Sequence, residues 1–126
     1  LLAELERELE LCRAQSQLAP FAAALAGQLA AWRRAQQALL DGRAADAEYP
    51  LRVADDMLQG IGHALMAWAW CRVARCSAEP GPGGRSAAQW QAAARYGIDW
   101  LLPQAQVHWA RATRRDAALP FVTWPA

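Results

Sequence analysis

The stretch from Pro50 to Arg75 carries apolar side chains on nearly every side of a helical wheel, with Trp68 and Trp70 about 200° apart at 100° per residue. A helix of that kind is stable only where other helices surround it, so the chain is expected to fold as a bundle with this segment at its centre. Gly60 and Gly62 fall inside it. Each lowers helix propensity by roughly 1 kcal/mol relative to Ala, which points to a neighbouring backbone packed close at that level.

Three further segments share the 3.6-residue period, and no stretch alternates apolar and polar residues as a half-buried strand would. The predicted fold class is therefore all-α, an up-down bundle of four helices whose two long C-terminal members are joined by a Gly/Pro-rich loop. The first segment, Leu1 to Gln15, puts Leu2, Leu5, Leu9 and Cys12 on one face and leaves Glu4, Glu6, Arg7, Glu8, Glu10 and Arg13 mostly outside it. The second opens near Pro20, which a first helical turn tolerates, and ends near Gly42. In it Leu18, Ala22, Leu25, Leu29, Trp32, Gln36 and Leu39 are spaced 4-3-4-3-4-3, a seam suited to shallow bundle packing with Gln36 as its polar member.

The run SAEPGPGGRS, residues 77–86, holds too much Pro and Gly for helix or strand and is the main loop, with Ser86 placed to cap the next helix. That fourth segment, Ala87 to Ala118, has Trp90, Ala94, Gly97, Leu101, Ala105, His108 and Ala112 in its predicted core seam. Pro103 removes a hydrogen bond to the Asp99 carbonyl and should bend the helix. The tail LPFVTWPA reads as irregular. Beside the seam, Ile98, Leu102 and Trp109 cluster to one side and Trp100 and Val107 to the other. The apolar arc is then about 200° wide, against a little over 100° for an ordinary surface helix. One seam cannot cover it, so these five residues form the candidate interface.

A chain of 126 residues with 55% apolar content fits one domain, taken here as 1–126. All of its basic residues are Arg, with neither Lys nor Asn present, a bias that looks genomic and removes Arg abundance as a functional signal. A net charge of +1 is too balanced for a chain whose main task is covering phosphates or an anionic membrane. Cys12, Cys71 and Cys76 are an odd number without CxxC spacing, which fits a reducing, cytoplasmic compartment. The chain opens at Leu1 with no initiator Met and no leader, so it is expected to be a piece of something longer. Its longest uncharged apolar run, Met57 to Cys71, is short of the roughly 20 residues of a membrane span.

No catalytic set emerges. His63 and His108, the two histidines, lie in apolar seams without a carboxylate or thiolate at i+3 or i+4, and read as satisfied core residues rather than metal ligands. Cys71 and Cys76 are about 140° apart on the helix and read as small hydrophobes. Gly81, Gly83 and Gly84 precede a helix but follow no strand, so they read as a flexible connection and not a phosphate cradle. Asp55 and Asp56 diverge by about 100° and are explained by charge balance near a helix N-terminus. Arg111, Arg114 and Arg115 sit favourably near a helix C-terminus, and the seven tryptophans suit core and interface packing. Catalytic, cofactor-binding and metal-binding residues are all expected to be absent from this chain.

The run YPLRVADDMLQGIGHALMAWAWCRVAR, followed after a variable loop by AARYGIDWLLPQAQ, resembles the acetyl-CoA dehydrogenase-like C-terminal domain appended to some bacterial acyl-CoA dehydrogenases, among them the methylmercaptopropionyl-CoA dehydrogenase type. Tyr49, Pro50, Leu51, Arg52, Gly60 or Gly62, Trp68, Ala94, Arg95, Tyr96, Leu101, Leu102 and Pro103 carry the likeness, which covers about Ala44 to Ala118. Gly97 stands where the family usually has a second aromatic, and the Lys that opens the family's last helix has no counterpart here. The resemblance implies a parent enzyme that oxidises an acyl-CoA thioester to its 2,3-enoyl form with a Glu base and FAD, both held upstream. It also implies an accessory bundle whose partners are its own catalytic domains or a neighbouring subunit of a homo-oligomer, with no membrane partner. The rival expectation is a nucleic-acid-associated domain, as in an alkylation-response branch of the superfamily, using Arg33, Arg34, Arg111, Arg114 and Arg115 as a stripe. A third is a free-standing bundle with a large apolar cavity between the second and third segments.

Overall fold

The computed structural model describes residues 1–77 and 86–115. Positions 78–85, with Gly81, Gly83 and Gly84, and everything from 116 onward, with the end of the predicted fourth segment and the tail, lie outside the described residues. The described chain is helical with no strand: α1 (Leu2–Arg13), α2 (Ala19–Gly42), α3 (Tyr49–Cys76), α4 (Ala87–Tyr96) and α5 (Ala105–Ala112), with short helical turns at Ser16–Leu18, Gly97–Leu101 and Leu102–Gln104. The all-α bundle predicted from periodicity is the observed fold.

The 28-residue α3 is central, touching α1, α2, α4 and α5. Its junction with α2 is fastened by Tyr49, which is buried and lays its ring on Gly42, where an added Cβ would sit 2.6 Å from the ring. The Tyr49 hydroxyl donates to the Ala112 carbonyl at 2.7 Å, so one side chain ties together the ends of α2, α3 and α5. Across the bundle the Cys71 thiol donates to the Phe21 carbonyl at 3.2 Å. These pairings run α2 and the α4–α5 rod antiparallel to α3.

The seam of α2 departs from the predicted one at a single step. Ala35 is buried and Gln36 exposed, so the core gains a methyl group where an amide was expected. An amide at that point would have to leave water without an assured partner. The larger departure is in the fourth rod. Its buried positions are Ala94, Gly97, Leu102, Ala105, Trp109 and Ala112, not the predicted set that included Leu101 and His108.

The cause is the π-helical turn at Gly97–Leu101, which inserts about one residue into the helical period before the 3-10 turn at Leu102–Gln104. Pro103 lacks the N–H that would continue the ladder, and the chain answers by changing its winding rather than by a simple bend. The inward face turns so that Leu102 and Trp109 replace Leu101 and His108, while Ala105 and Ala112 stay buried as predicted. At the start of the rod Ser86 acts as expected: its hydroxyl accepts from the Gln89 amide at 3.3 Å while the Gln89 side chain accepts from the Ser86 N–H at 3.0 Å.

Candidate interaction surface

The rephased rod divides the five candidate interface residues. Leu102 and Trp109 are 5% and 6% exposed and belong to the core of their own chain, and Ile98 is half-buried against that core. The Trp109 indole N–H donates to the Gln28 side-chain oxygen at 2.8 Å, which fixes the ring between α2 and α3. Leu102 and Trp109 are thus withdrawn as contact residues, because the extra residue in the π turn rotates them inward. Trp100, 70% exposed, and Val107 remain outside. Trp100 stacks on exposed Tyr96 with centroids 6.4 Å apart, so two aromatic rings face solvent side by side.

A second apolar surface lies on α3, which is not buried all round as predicted. Leu51 is 78% exposed and Leu58 67%, and Met66 joins them. At 100° per residue these three and Gly62 fall within about 80° of one another, on the side away from Gly60, Ala64, Ala67 and Cys71. An added Cβ at Gly62 would have nothing within 4 Å, whereas one at Gly60 would lie 2.7 Å from the Trp109 ring. The close approach inferred for both glycines therefore holds at Gly60 alone, and the neighbour is an indole rather than backbone. The signal that could have found the open side is polar: Asp55 and Gln59 fall on or beside the same arc.

On the covered side α3 meets α1 through a buried ion pair. Glu8, expected outside, is 4% exposed, and both its oxygens accept from Arg75, at 2.7 and 3.0 Å. Helix α1 lies on α3 closely enough that position 8 faces protein, and a carboxylate there survives only because Arg75 reaches it. Beside it the Cys12 thiol is pushed up, first by burial and then by the Glu8 charge, and burial likewise pushes the Cys71 thiol up. Both behave as small buried hydrophobes, while Cys76 is exposed, contrary to the same reading. Asp56 is not an idle charge near a helix N-terminus either: it accepts from His108 Nδ1 at 2.8 Å and lies 3.9 Å from Arg111.

The predicted Arg stripe is partly spent on the fold. Arg33 pairs with Glu6, Arg111 approaches Asp56, and Arg115 reaches both Asp41 and the Ala38 carbonyl. Each pairing removes positive potential from a surface that would have to attract phosphates. A cleft of about 360 Å³ lies between α2 and α5, lined by Gly27, Gln28, Arg34, Gln106, Trp109 and Thr113. The buried residues of α2 and α3, Leu25, Leu29, Ala64, Ala67 and Cys71, belong to one core, so the cleft is not the cavity expected between those helices. Among the described residues no three His, Cys, Asp or Glu side chains gather as a metal centre, and no helix is long and apolar enough to cross a membrane.

Among the described residues the bundle exposes large apolar side chains chiefly on α3 and along the fourth rod at Tyr96, Trp100 and Val107. The sequence matches the acetyl-CoA dehydrogenase C-terminal-like family over residues 1–120, and the chain belongs to that family. Neither a curated protein nor a solved structure matches it.

Proposed function

We propose that this chain is the accessory helical domain of an FAD-dependent acyl-CoA dehydrogenase, non-catalytic by itself, which packs on the catalytic domains of its own protein or on a neighbouring subunit. Family membership supports the parent enzyme class. The observation that carries the docking role is the solvent-facing apolar stripe of Leu51, Leu58 and Met66 on the bundle's central helix. Three large apolar side chains exposed on one face of the helix that organises the core support the reading that a partner covers this face. Trp100 and Val107 supply a second contact region of the same character. The parent belongs to the cytoplasmic fatty-acid-type oxidoreductases, of which the methylmercaptopropionyl-CoA dehydrogenase type is one, and FAD and the Glu base lie in its upstream part.

Light scattering on the chain tests the docking role. Wild type is expected to self-associate at high concentration through the bared surface, whereas Leu58→Glu and Trp100→Glu remain folded and monomeric. A wild type that stays monomeric at millimolar concentration would remove the support for docking. FAD and an acyl-CoA with an electron acceptor should give no turnover on this chain, and a flavin retained through purification would contradict an upstream cofactor site.

A further inference from the structure

The proposed docking role leaves one polar cluster unused, where α3 and α5 face each other. His63 and His108 bring their rings to 5.7 Å between centroids, tilted by 32°. His63 Nδ1 lies 2.7 Å from the Gln59 carbonyl oxygen, which can only accept, so in the neutral ring Nδ1 carries the proton and Nε2 a lone pair. His108 Nδ1 lies 2.8 Å from Asp56 Oδ1, and the same reasoning leaves its Nε2 as a lone pair. Neither Nε2 has a partner among the described residues. Since no buried polar side-chain atom lacks a partner, both reach solvent.

The geometry points to a two-imidazole site for a divalent transition-metal cation such as Zn²⁺, bridging α3 and α5. Histidine ligands of metals regularly donate their other ring nitrogen to a backbone carbonyl or a carboxylate, which fixes the tautomer and raises the basicity of the ligating nitrogen. Here His63 has the carbonyl and His108 the carboxylate, supplied by Gln59 and Asp56 one or two turns along α3. A cation about 2.0–2.1 Å from each Nε2 places the centres of two tetrahedrally arranged rings about 5 Å apart, and the observed separation is 5.7 Å. Imidazole suits zinc, copper and nickel, and not the oxygen-seeking magnesium or calcium. Two protein donors leave the other positions to water, so the cation is exchangeable rather than a structural one held by four ligands.

Calorimetric titration of the Cys76→Ser chain with zinc chloride tests this, the substitution removing the exposed thiol as a competing ligand. One saturable equivalent is expected. His63→Ala and His108→Ala should each weaken it at least tenfold, and Asp56→Ala, which leaves both ligands in place but removes the acceptor that holds the His108 ring, roughly 10- to 100-fold. His63→Gln and His108→Gln, followed by circular dichroism, give the same comparison in chains shown to be folded. Absence of saturable binding, or binding that survives removal of both rings, overturns the site. Retained binding in Asp56→Ala alone would also overturn it, by showing that the cation does not sit on a ring held by Asp56.

Discussion

Gly60 and Gly62 stand two residues apart on α3 and meet opposite surroundings. At Gly60 an added Cβ would press on the Trp109 ring at 2.7 Å, while at Gly62 it would meet nothing within 4 Å. About 200° of helix separates them, so the pair divides α3 into a covered side and an open side. Both sides carry apolar residues, and the open side has Asp55 and Gln59 among them. The covered side owes its apolar character to the chain's own core, and on the open side Gly62 leaves a shallow notch between Leu58 and Met66 that a second surface could approach closely. A glycine inside a helix signals close approach, but which neighbour makes it, and whether that neighbour belongs to the same chain, is decided by where the other helices run.

The covered side should be the one that breaks the fold, and most severely at Arg75. Arg75→Met strands Glu8, 4% exposed, without its partner. Breaking a buried pair typically costs about 3–5 kcal/mol, and the lower end applies because the Arg75 side chain keeps 24% of its exposure. Adding Glu8→Leu to Arg75→Met should recover most of the loss in urea denaturation, since apolar replacement of a buried pair is often neutral. A loss below about 0.5 kcal/mol for Arg75→Met would place α1 away from α3 in solution, because surface changes stay within that range.

The two glycines give the sharpest contrast, with opposite signs. Gly60→Leu must displace an indole held at its far side by Gln28, and overpacking of this kind costs about 1–3 kcal/mol. Gly62→Leu fits without contact and replaces the poorer helix former, so it should gain up to about 1 kcal/mol. Thermal unfolding of both variants reads the difference directly. Equal losses would mean that the open side of α3 is covered in the free chain.

The sequence made the fold class and three of the helix boundaries legible, because amphipathic period, Pro20, Pro50 and the Ser86 cap are local signals. It located Leu5, Leu9, Leu25 and Leu29 in the core for the same reason. It misplaced the contact face of the fourth rod because the wheel was carried through Gly97–Leu101 at a constant 100° per residue, and a π turn changes that increment. Pro103 marked the disturbance without saying which way the helix would be rewound. Glu8 was out of reach for another reason: its partner Arg75 is distant in sequence, and nothing in α1 alone tells the buried carboxylate from Glu4, Glu6 and Glu10. The open side of α3 was marked only by Asp55 and Gln59, because the apolar residues beside them look the same whether their cover is inside the chain or outside it.

The smallest effect is expected where α3 begins, at a contact exposed to water. Asp46 accepts from Arg52 and from the Glu48 N–H, the latter at 3.1 Å, and the Arg52 guanidinium, ahead of the backbone donors, holds its carboxyl below the usual carboxylate range. A carboxyl whose folded value is depressed contributes stability that is fully present above its unfolded value near 4 and disappears as the pH falls through the lower folded value. Solvent screening keeps that contribution small. Asp46→Asn separates the two roles of the side chain, because the amide oxygen can still accept from the Glu48 N–H while the charge that attracts Arg52 is gone. Wild type should therefore melt slightly above Asp46→Asn at neutral pH, and the two curves should converge in acid as the pH falls through the lowered folded value and the carboxyl is protonated. A gap that persists into acid would mean that Asp46 acts through the backbone cap, and that the aromatic-Arg start of α3 rests on Tyr49 with no help from Arg52.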